Sequence, residues 1–424
     1  PDEGASEGRF CCLARVLGEQ GHTVTWWSMN FHHRTKRRRE APTNGEWQMA
    51  DGEFVEIKLL PVPEYRNNIS LARLRSHRVY GRQFARAAAE RIAQDPGAVP
   101  DVIHLSTPPL DCIQPALELK ERYGCRVTVD VMDLWPETFY RTLPKGLSLL
   151  GKWLFAPLHR QARRAYREAD AVSAVSQEYL DLVAEIREQE AGSRKQGAGS
   201  RTPPSTYHLC YVGGELLESK ADPPQVSLLR QGYGGQTGLR SQFSKATFIY
   251  VGAMTPTYDL ETILEAAAHL KGQGLEFEVV FAGSGISEAA LKAKANALGL
   301  QDVVTFLGFL NQDALKEALR QADVGLNAIM PGTFITMPHK LSDYLCAGLA
   351  VINSTEGEAD DLLRKHGAGV FYHAGEMASL AGAMKGFIEE PEKLAAHKQS
   401  AYRLAATQFD RSHTYPAMAE WITA

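Results

Sequence analysis

The chain has 424 residues, which at about 150 residues per domain leaves room for two or three domains. Its 46 Lys and Arg against 50 Asp and Glu give a net charge of -4, which excludes a globally basic nucleic-acid binder, and 44% hydrophobic residues suffice for a core. Cys11, Cys12, Cys112, Cys125, Cys210 and Cys346 form no C-x-x-C pair, so neither a zinc ribbon nor a disulfide scaffold is indicated, and a reducing compartment is expected. No run of about 18 apolar residues is present, so no membrane span is expected, and no signal peptide is recognisable.

In chain order, strand-like runs fall at 22–27, 102–105, 127–131 and 171–175, with helical stretches between them. Strands spaced by helices predict parallel βαβ units. Residues 187–245 differ: Ala191-Gly192-Ser193-Arg194 recurs as Ala198-Gly199-Ser200-Arg201, and Pro203-Pro204, Pro223-Pro224 and Gly234-Gly235 follow. Such composition reads as a linker or insertion, with residues 207–213 as an ordered island within it. Beyond it, strands are expected at 248–252, 277–281, 303–306, 324–327 and 350–353. Helices lie between them, one of them from Pro338 to Ala347 and stopped by Gly348. The fold class is α/β, with a doubly wound back domain.

In such a sheet, ligands bind beyond the carboxyl ends of the strands. The loops Gly252-Ala253-Met254, Gly283-Ser284-Gly285, Gly308-Phe309-Leu310 and residues 331–338 therefore share one edge. Glycines there let backbone N–H groups approach a phosphate; they also simply make tight strand-to-helix turns. Lys340 falls in the first turn of a helix, where the dipole disfavours a cation unless an anion sits between. Asp343, one turn later, suits the hydroxyls of a ribose. A solvated surface Lys–Asp pair explains the same spacing. In the front region His32, His33, Arg34 and Lys36 open a basic stretch. Arg75, Arg78, Arg82 and Arg86 recur at helical spacing. A phosphate-bearing acceptor or an anionic membrane suits this patch, as does a solvated basic face.

Pro338-x-Lys340-x-x-Asp343-Tyr344-x-x-Ala347-Gly348, with Val351-Ile352 following, resembles the donor-nucleotide motif of the family 4 retaining glycosyltransferases, which have the GT-B fold. Residues 130–137, with Asp133-Leu134-Trp135-Pro136-Glu137, resemble a segment of their bacterial O-antigen and exopolysaccharide branch. Residues 1–8 resemble the glycine-containing loop after the family's first strand, and Ser354-Thr355-Glu356-Gly357-Glu358 resembles a further stretch. Together these cover nearly the whole chain outside 187–245.

The resemblance implies two Rossmann-like domains facing across a cleft. Residues 1–186 would bind the acceptor and 246–400 the nucleotide-sugar, with 401–424 a C-terminal helix packing back toward the first domain. Asp343 would hold the ribose and Lys340 the diphosphate, beside Thr336, Met337 and Pro338. Gly252, Met254, Gly283, Ser284, Gly285, Phe309 and Leu310 would line the nucleotide, and Gly4 would touch the donor phosphate. Asp133 is the candidate for positioning the acceptor hydroxyl; a structural capping role fits it as well.

The implied partners are a UDP- or GDP-sugar donor and a saccharide or polyprenyl-diphosphate-linked acceptor. Peripheral contact with the inner face of the plasma membrane is expected of a cytoplasmic enzyme. No nucleic acid, cofactor or metal is implied, since Asp130 to Asp133 is D-x-x-D rather than D-x-D. Ile335 stands where relatives often carry a glutamate, and Met132 where many carry a histidine. The family's first strand precedes the Gly4 loop, at which this sequence starts, so a missing central strand and a weakened first domain are expected. The alternatives are a nucleotide-sugar 2-epimerase of similar fold and a non-catalytic or truncated nucleotide-sugar binder. A hydride-transferring dehydrogenase is the least favoured reading, since no G-x-G-x-x-G follows an expected strand.

Overall fold

The computed structural model describes residues 8–33, 35–39, 46–48, 54–67, 70–136, 151, 153–194, 206–217, 245–333 and 335–424. They divide into two units, Pro1–Cys210 with Tyr415–Ala424, and Tyr211–Thr414. Gly4 and Arg34 lie outside the described residues.

The first unit opens with α1 (Arg9–Glu19), followed by β1 (Thr25–Met29), β2 (Glu46–Gln48), β3 (Phe54–Leu60), α2 (Leu71–Gln94), β4 (Val102–Thr107), α3 (Ile113–Tyr123), β5 (Arg126–Val131), α4 (Ala156–Glu168), β6 (Ala171–Ala174), α5 (Gln177–Arg194) and β7 (Tyr207–Leu209). Its strands form two sheets, β1-β3-β2 and β4-β5-β6-β7. All pairs are parallel except β2 with β3. β1 is half-buried along its whole length, whereas β6 is fully buried. Leaving aside an isolated two-residue bridge, the βαβ expectation describes the second sheet; β2 and β3 are additions to it. α2 starts at Ser70, whose side chain accepts from the Arg73 N–H. Its buried face carries His77, Tyr80, Phe84 and Ala88, and Arg75, Arg78, Arg82 and Arg86 all face solvent.

The second unit contains β8 (Ala246–Val251), α6 (Leu260–Gly272), β9 (Phe277–Ala282), α7 (Glu288–Ala297), β10 (Val304–Gly308), α8 (Gln312–Gln321), β11 (Val324–Asn327), α9 (His339–Cys346), β12 (Ala350–Asn353), α10 (Glu358–His366), β13 (Gly369–Phe371), α11 (Met377–Glu389) and α12 (Pro391–Gln408). Its six strands make one parallel sheet in the order β10-β9-β8-β11-β12-β13. The order reverses between β8 and β11, the switch point of a doubly wound sheet. Phe248, Tyr250, Phe277, Val279, Phe281, Leu326 and Ile352 are buried against Ile263, Leu264, Ala267 and Leu270 of α6. These helix residues recur at helical spacing and form one apolar face.

Two expectations change here. The stretch 187–245 is not uniformly a linker: 187–194 complete α5, β7 pairs with β6, and Tyr211–Leu217 belong to the second unit. Residues 195–205 and 218–244 lie outside the described residues. The C-terminal stretch 401–424 is also not one helix. α12 ends at Gln408, inside the second unit, and α13 (Arg411–Thr423) follows. Tyr415, Met418, Ala419 and Ile422 of α13 are buried with Cys12, Leu13 and Val16 of α1. At the crossing, the Gly214 N–H donates to Phe409 O, the Arg411 N–H donates to Gly214 O, and Tyr211 stacks on Phe409 at 4.6 Å. Among the described residues, no helix is long and apolar enough to cross a membrane.

Candidate active site

The parallel register of the second sheet brings the loops after β8, β9, β10, β11 and β12 to one edge. The first three are laced together through their backbones. The Gly252 N–H donates to Ala282 O at 2.9 Å, the Gly283 N–H to Gly308 O at 2.7 Å, and the Met254 N–H to Ser284 O at 2.9 Å. Gly283 has φ 142°, and a Cβ on it would overlap the Gly252 carbonyl. Gly283 and Gly285 thus have a packing reason to be glycine, independent of any ligand. Met254 is fully buried and shapes its loop from inside, so its side chain is not at the surface where a nucleotide would lie. Ser284 and Phe309 are exposed, Phe309 at 82%, and Leu310 is half-buried beside it.

Lys340 separates the two readings of its motif. Pro338 is the residue before the helix rather than inside it, and α9 starts at His339. Lys340 is 9% exposed, so it is not half of a solvated pair. Its Nζ lies 4.1 Å from the Tyr250 ring centroid and 4.0 Å from that of Tyr258, and makes no hydrogen bond. Burial alone lowers its pKa to about 7. The Thr336 Oγ1, four residues earlier, is likewise buried without a hydrogen bond. A buried ammonium in the first turn of a helix is disfavoured by both desolvation and dipole. An anion held there removes both penalties.

Tyr344 fixes the helix that carries Lys340. Its hydroxyl accepts from the Val251 N–H at 2.9 Å and donates to Leu326 O at 3.2 Å, and its ring covers Gly325. Asp343 is half-buried on the same turn. On the next loop, Asn327 donates to Asn353 Oδ1 at 2.7 Å and Thr355 Oγ1 at 3.1 Å, holding the ends of β11 and β12 together. Tyr250, Tyr258 and the asparagine pair were not among the expected site residues.

In the first unit, the β5 end carries two aspartates of opposite character. Asp130 is fully buried, with both carboxylate oxygens on Arg9: Nε at 2.9 Å and Nη2 at 3.1 Å. Ser173 donates to it at 2.8 Å. Asp133, past the strand end, is half-buried and accepts from the Trp135 Nε1–H at 3.2 Å. His32 and His33 do not act together: His32 Nδ1 meets Thr35 Oγ1 at 2.8 Å, and His33 Nδ1 meets the Tyr65 hydroxyl at 2.9 Å.

Two family models match the chain: a glycosyl transferase 4-like domain over residues 6–191, and glycosyl transferases group 1 over residues 239–404. The structure superposes on sucrose-phosphate synthase from Thermosynechococcus elongatus with TM-score 0.63 and 14% identity, over 97% of this chain and 91% of that one. The two models together cover most of the chain, and the fold is GT-B. The chain is also similar in fold to Anabaena HepE in complex with UDP, with TM-score 0.55 and 19% identity over 86% of this chain and 85% of that one. Among curated proteins, it is 27% identical over 173 residues to the amylovoran biosynthesis glycosyltransferase AmsK of Erwinia amylovora. That alignment covers 40% of this chain and 42% of AmsK, so the match spans under half the length of the relative.

Proposed function

We propose that the protein is a retaining glycosyltransferase. It moves a sugar from a UDP- or GDP-sugar to a saccharide or polyprenyl-diphosphate-linked acceptor during envelope polysaccharide synthesis. One observation carries the donor half: Lys340, a buried cation without a hydrogen bond at a helix start, on a sheet edge laced from glycine loops. The UDP in the HepE structure and the polysaccharide role in the name of AmsK support the same reading.

Chemistry follows from charge. As the glycosidic bond breaks, negative charge grows on the departing nucleoside diphosphate and the sugar becomes oxocarbenium-like. Lys340 and the N-terminal end of the α9 dipole meet that charge in a site that excludes water from the ammonium. Asp343 accepts from the ribose hydroxyls, and the exposed Phe309 ring offers a stacking face to the base. Asp133 orients the acceptor hydroxyl. The exposed arginine stripe of α2 faces the anionic surface on which the acceptor lies.

The test is thermal unfolding with UDP, GDP and dTDP in turn, beside Asp343→Ala. A ligand that binds only the folded state stabilises it by about 2.7 kcal/mol at a hundredfold excess over Kd. One nucleotide is expected to raise the midpoint of the wild type and leave the Asp343→Ala variant unmoved. Release of that nucleoside diphosphate from its sugar should then require acceptor. A folded wild type that responds to none of the three sinks the donor site.

A further inference from the structure

A second basic cluster, built on Lys36 and Arg73, sits in the first unit apart from the exposed arginine stripe. Lys36, Tyr65, Arg73, His77 and Trp135 come from four separate segments and meet around two aromatic rings. The Lys36 Nζ lies 4.6 Å above the Tyr65 ring, and Tyr65 is buried and also bonds His33. Arg73 shares a hydrogen bond with Tyr65, and its guanidinium lies 4.5 Å over the Trp135 ring. His77, one turn along α2, stacks on the same ring at 5.1 Å. Trp135 in turn donates to Asp133.

Three features set this cluster apart from a solvated basic face. Arg73 is half-buried and His77 only 3% exposed, whereas Arg75, Arg78, Arg82 and Arg86 stand in solvent. His77 Nδ1 is buried and makes no hydrogen bond. Lys36 has φ 57°, the only positive φ outside glycine among the described residues, so backbone energy is spent where this side chain is presented. Arg73 also disfavours charge on Lys36 and on His77, whose imidazole stays neutral. Burial first, and then the charges of Arg73 and His33, bring the His77 imidazole down to about 3; burial and then Arg73 lower Lys36. Like charges held together beside a buried polar atom with no hydrogen bond are stabilised by a multivalent anion, and a planar guanidinium suits phosphate oxygens.

We propose that Lys36, Arg73 and His77 form a phosphate-binding pocket for the acceptor, placed beside Asp133 so that the acceptor's phosphate is held next to the residue that orients its hydroxyl. Its link to the acceptor rests on the glycosyltransferase reading; its binding of phosphate does not. The pocket holds the phosphate group itself, while the outer stripe meets only a charged surface.

The probe is inorganic pyrophosphate, titrated calorimetrically into the full chain carrying Lys340→Met, so that the donor site does not contribute. One site is expected. Arg73→Gln and Lys36→Gln should each weaken it at least tenfold, and Arg82→Gln on the outer stripe should leave it unchanged. Lys36 lies on a surface turn, so its variant serves if Arg73→Gln misfolds. In flotation, neutral vesicles doped with polyprenyl diphosphate should lose the Arg73→Gln protein but keep Arg82→Gln. Phosphatidylglycerol vesicles without it should show the reverse ranking, which separates the lipid-linked phosphate from a bare anionic surface. No pyrophosphate binding, or equal losses from Arg73→Gln and Arg82→Gln, overturns the pocket. UDP stabilisation of the wild type is read in parallel: if it fails while the pyrophosphate site persists, the donor assignment falls and the pocket stands.

Discussion

Lys340→Met is expected to stabilise the ligand-free protein while it removes nucleotide binding. The two effects have one cause. In the folded state burial lowers the lysine to about 7, against about 10.5 ordinarily, so between those values the unfolded chain holds more protons. Stability then rises with pH across that window, and the full penalty of the buried charge is present below about pH 7. Methionine fills similar space without charge and forfeits the contacts with Tyr250 and Tyr258. A net gain on the order of 2 kcal/mol at pH 6 is expected, or roughly 4–8 °C in the midpoint of a unit this size. The gain should vanish by about pH 10. The loss of one preorganised cation from the departing diphosphate should cost about 10²–10³ in turnover. Wild-type nucleotide binding should also take up a proton above pH 7, measurable calorimetrically in buffers of different ionisation enthalpy. A variant that is less stable at pH 6 and still responds to nucleotide would refute this role for Lys340.

Asp130→Ala should destabilise the first unit by about 3–5 kcal/mol, because it strands Arg9 as a buried charge. Arg9 is 5% exposed, and the other contacts of its guanidinium include Cys210 O at 3.0 Å, two sulfurs and the Tyr415 ring at 5.6 Å, none of which carries the opposite charge. Burial pushes the Asp130 carboxyl up, but the charge and hydrogen bonds of Arg9 outweigh it and leave its pKa below the ordinary value. The unfolded chain therefore takes up this proton first as pH falls. The stability it supplies is present above about pH 4 and is lost as pH drops through the lowered folded value. Arg9→Met with Asp130→Leu removes both charges and should recover most of the loss. Chemical denaturation of the two singles and the double gives the coupling energy. Equal loss in the double and in Asp130→Ala would mean that the site needs the polar pair for another reason.

The second unit was largely legible because its signals are local. The β8 and β9 strands are short apolar runs, α6 shows its buried stripe at helical spacing, and Lys340 to Tyr344 fall within one helix. What surrounds Lys340 was not legible: Tyr250 and Tyr258 belong to another strand and its following loop, and only the parallel register brings them to α9. Arg9 and Asp130 are 121 residues apart, and nothing in either segment names the other. The β3 strand carried a readable signal, with Val55 and Ile57 buried and alternating with Glu56 and Lys58, yet no strand was expected there. Residues 1–7, which include Gly4, remain an expectation from resemblance alone.

The return of α13 to the first unit makes the two halves of the chain topologically interlocked. A cut anywhere between 218 and 244 gives two fragments, neither of which contains a whole unit by itself. The earlier fragment keeps residues 211–217 against the second unit, where the Leu217 N–H donates to Cys346 O and Tyr211 donates to Glu358. The later fragment keeps Tyr415, Met418 and Ile422 in the core around α1. Each piece carries part of the other's interior, so a nicked molecule should migrate as one species until it is denatured. The same two pieces, expressed as separate polypeptides, should reassemble by complementation, whereas a division at 210 and 414 would not preserve that mutual grip.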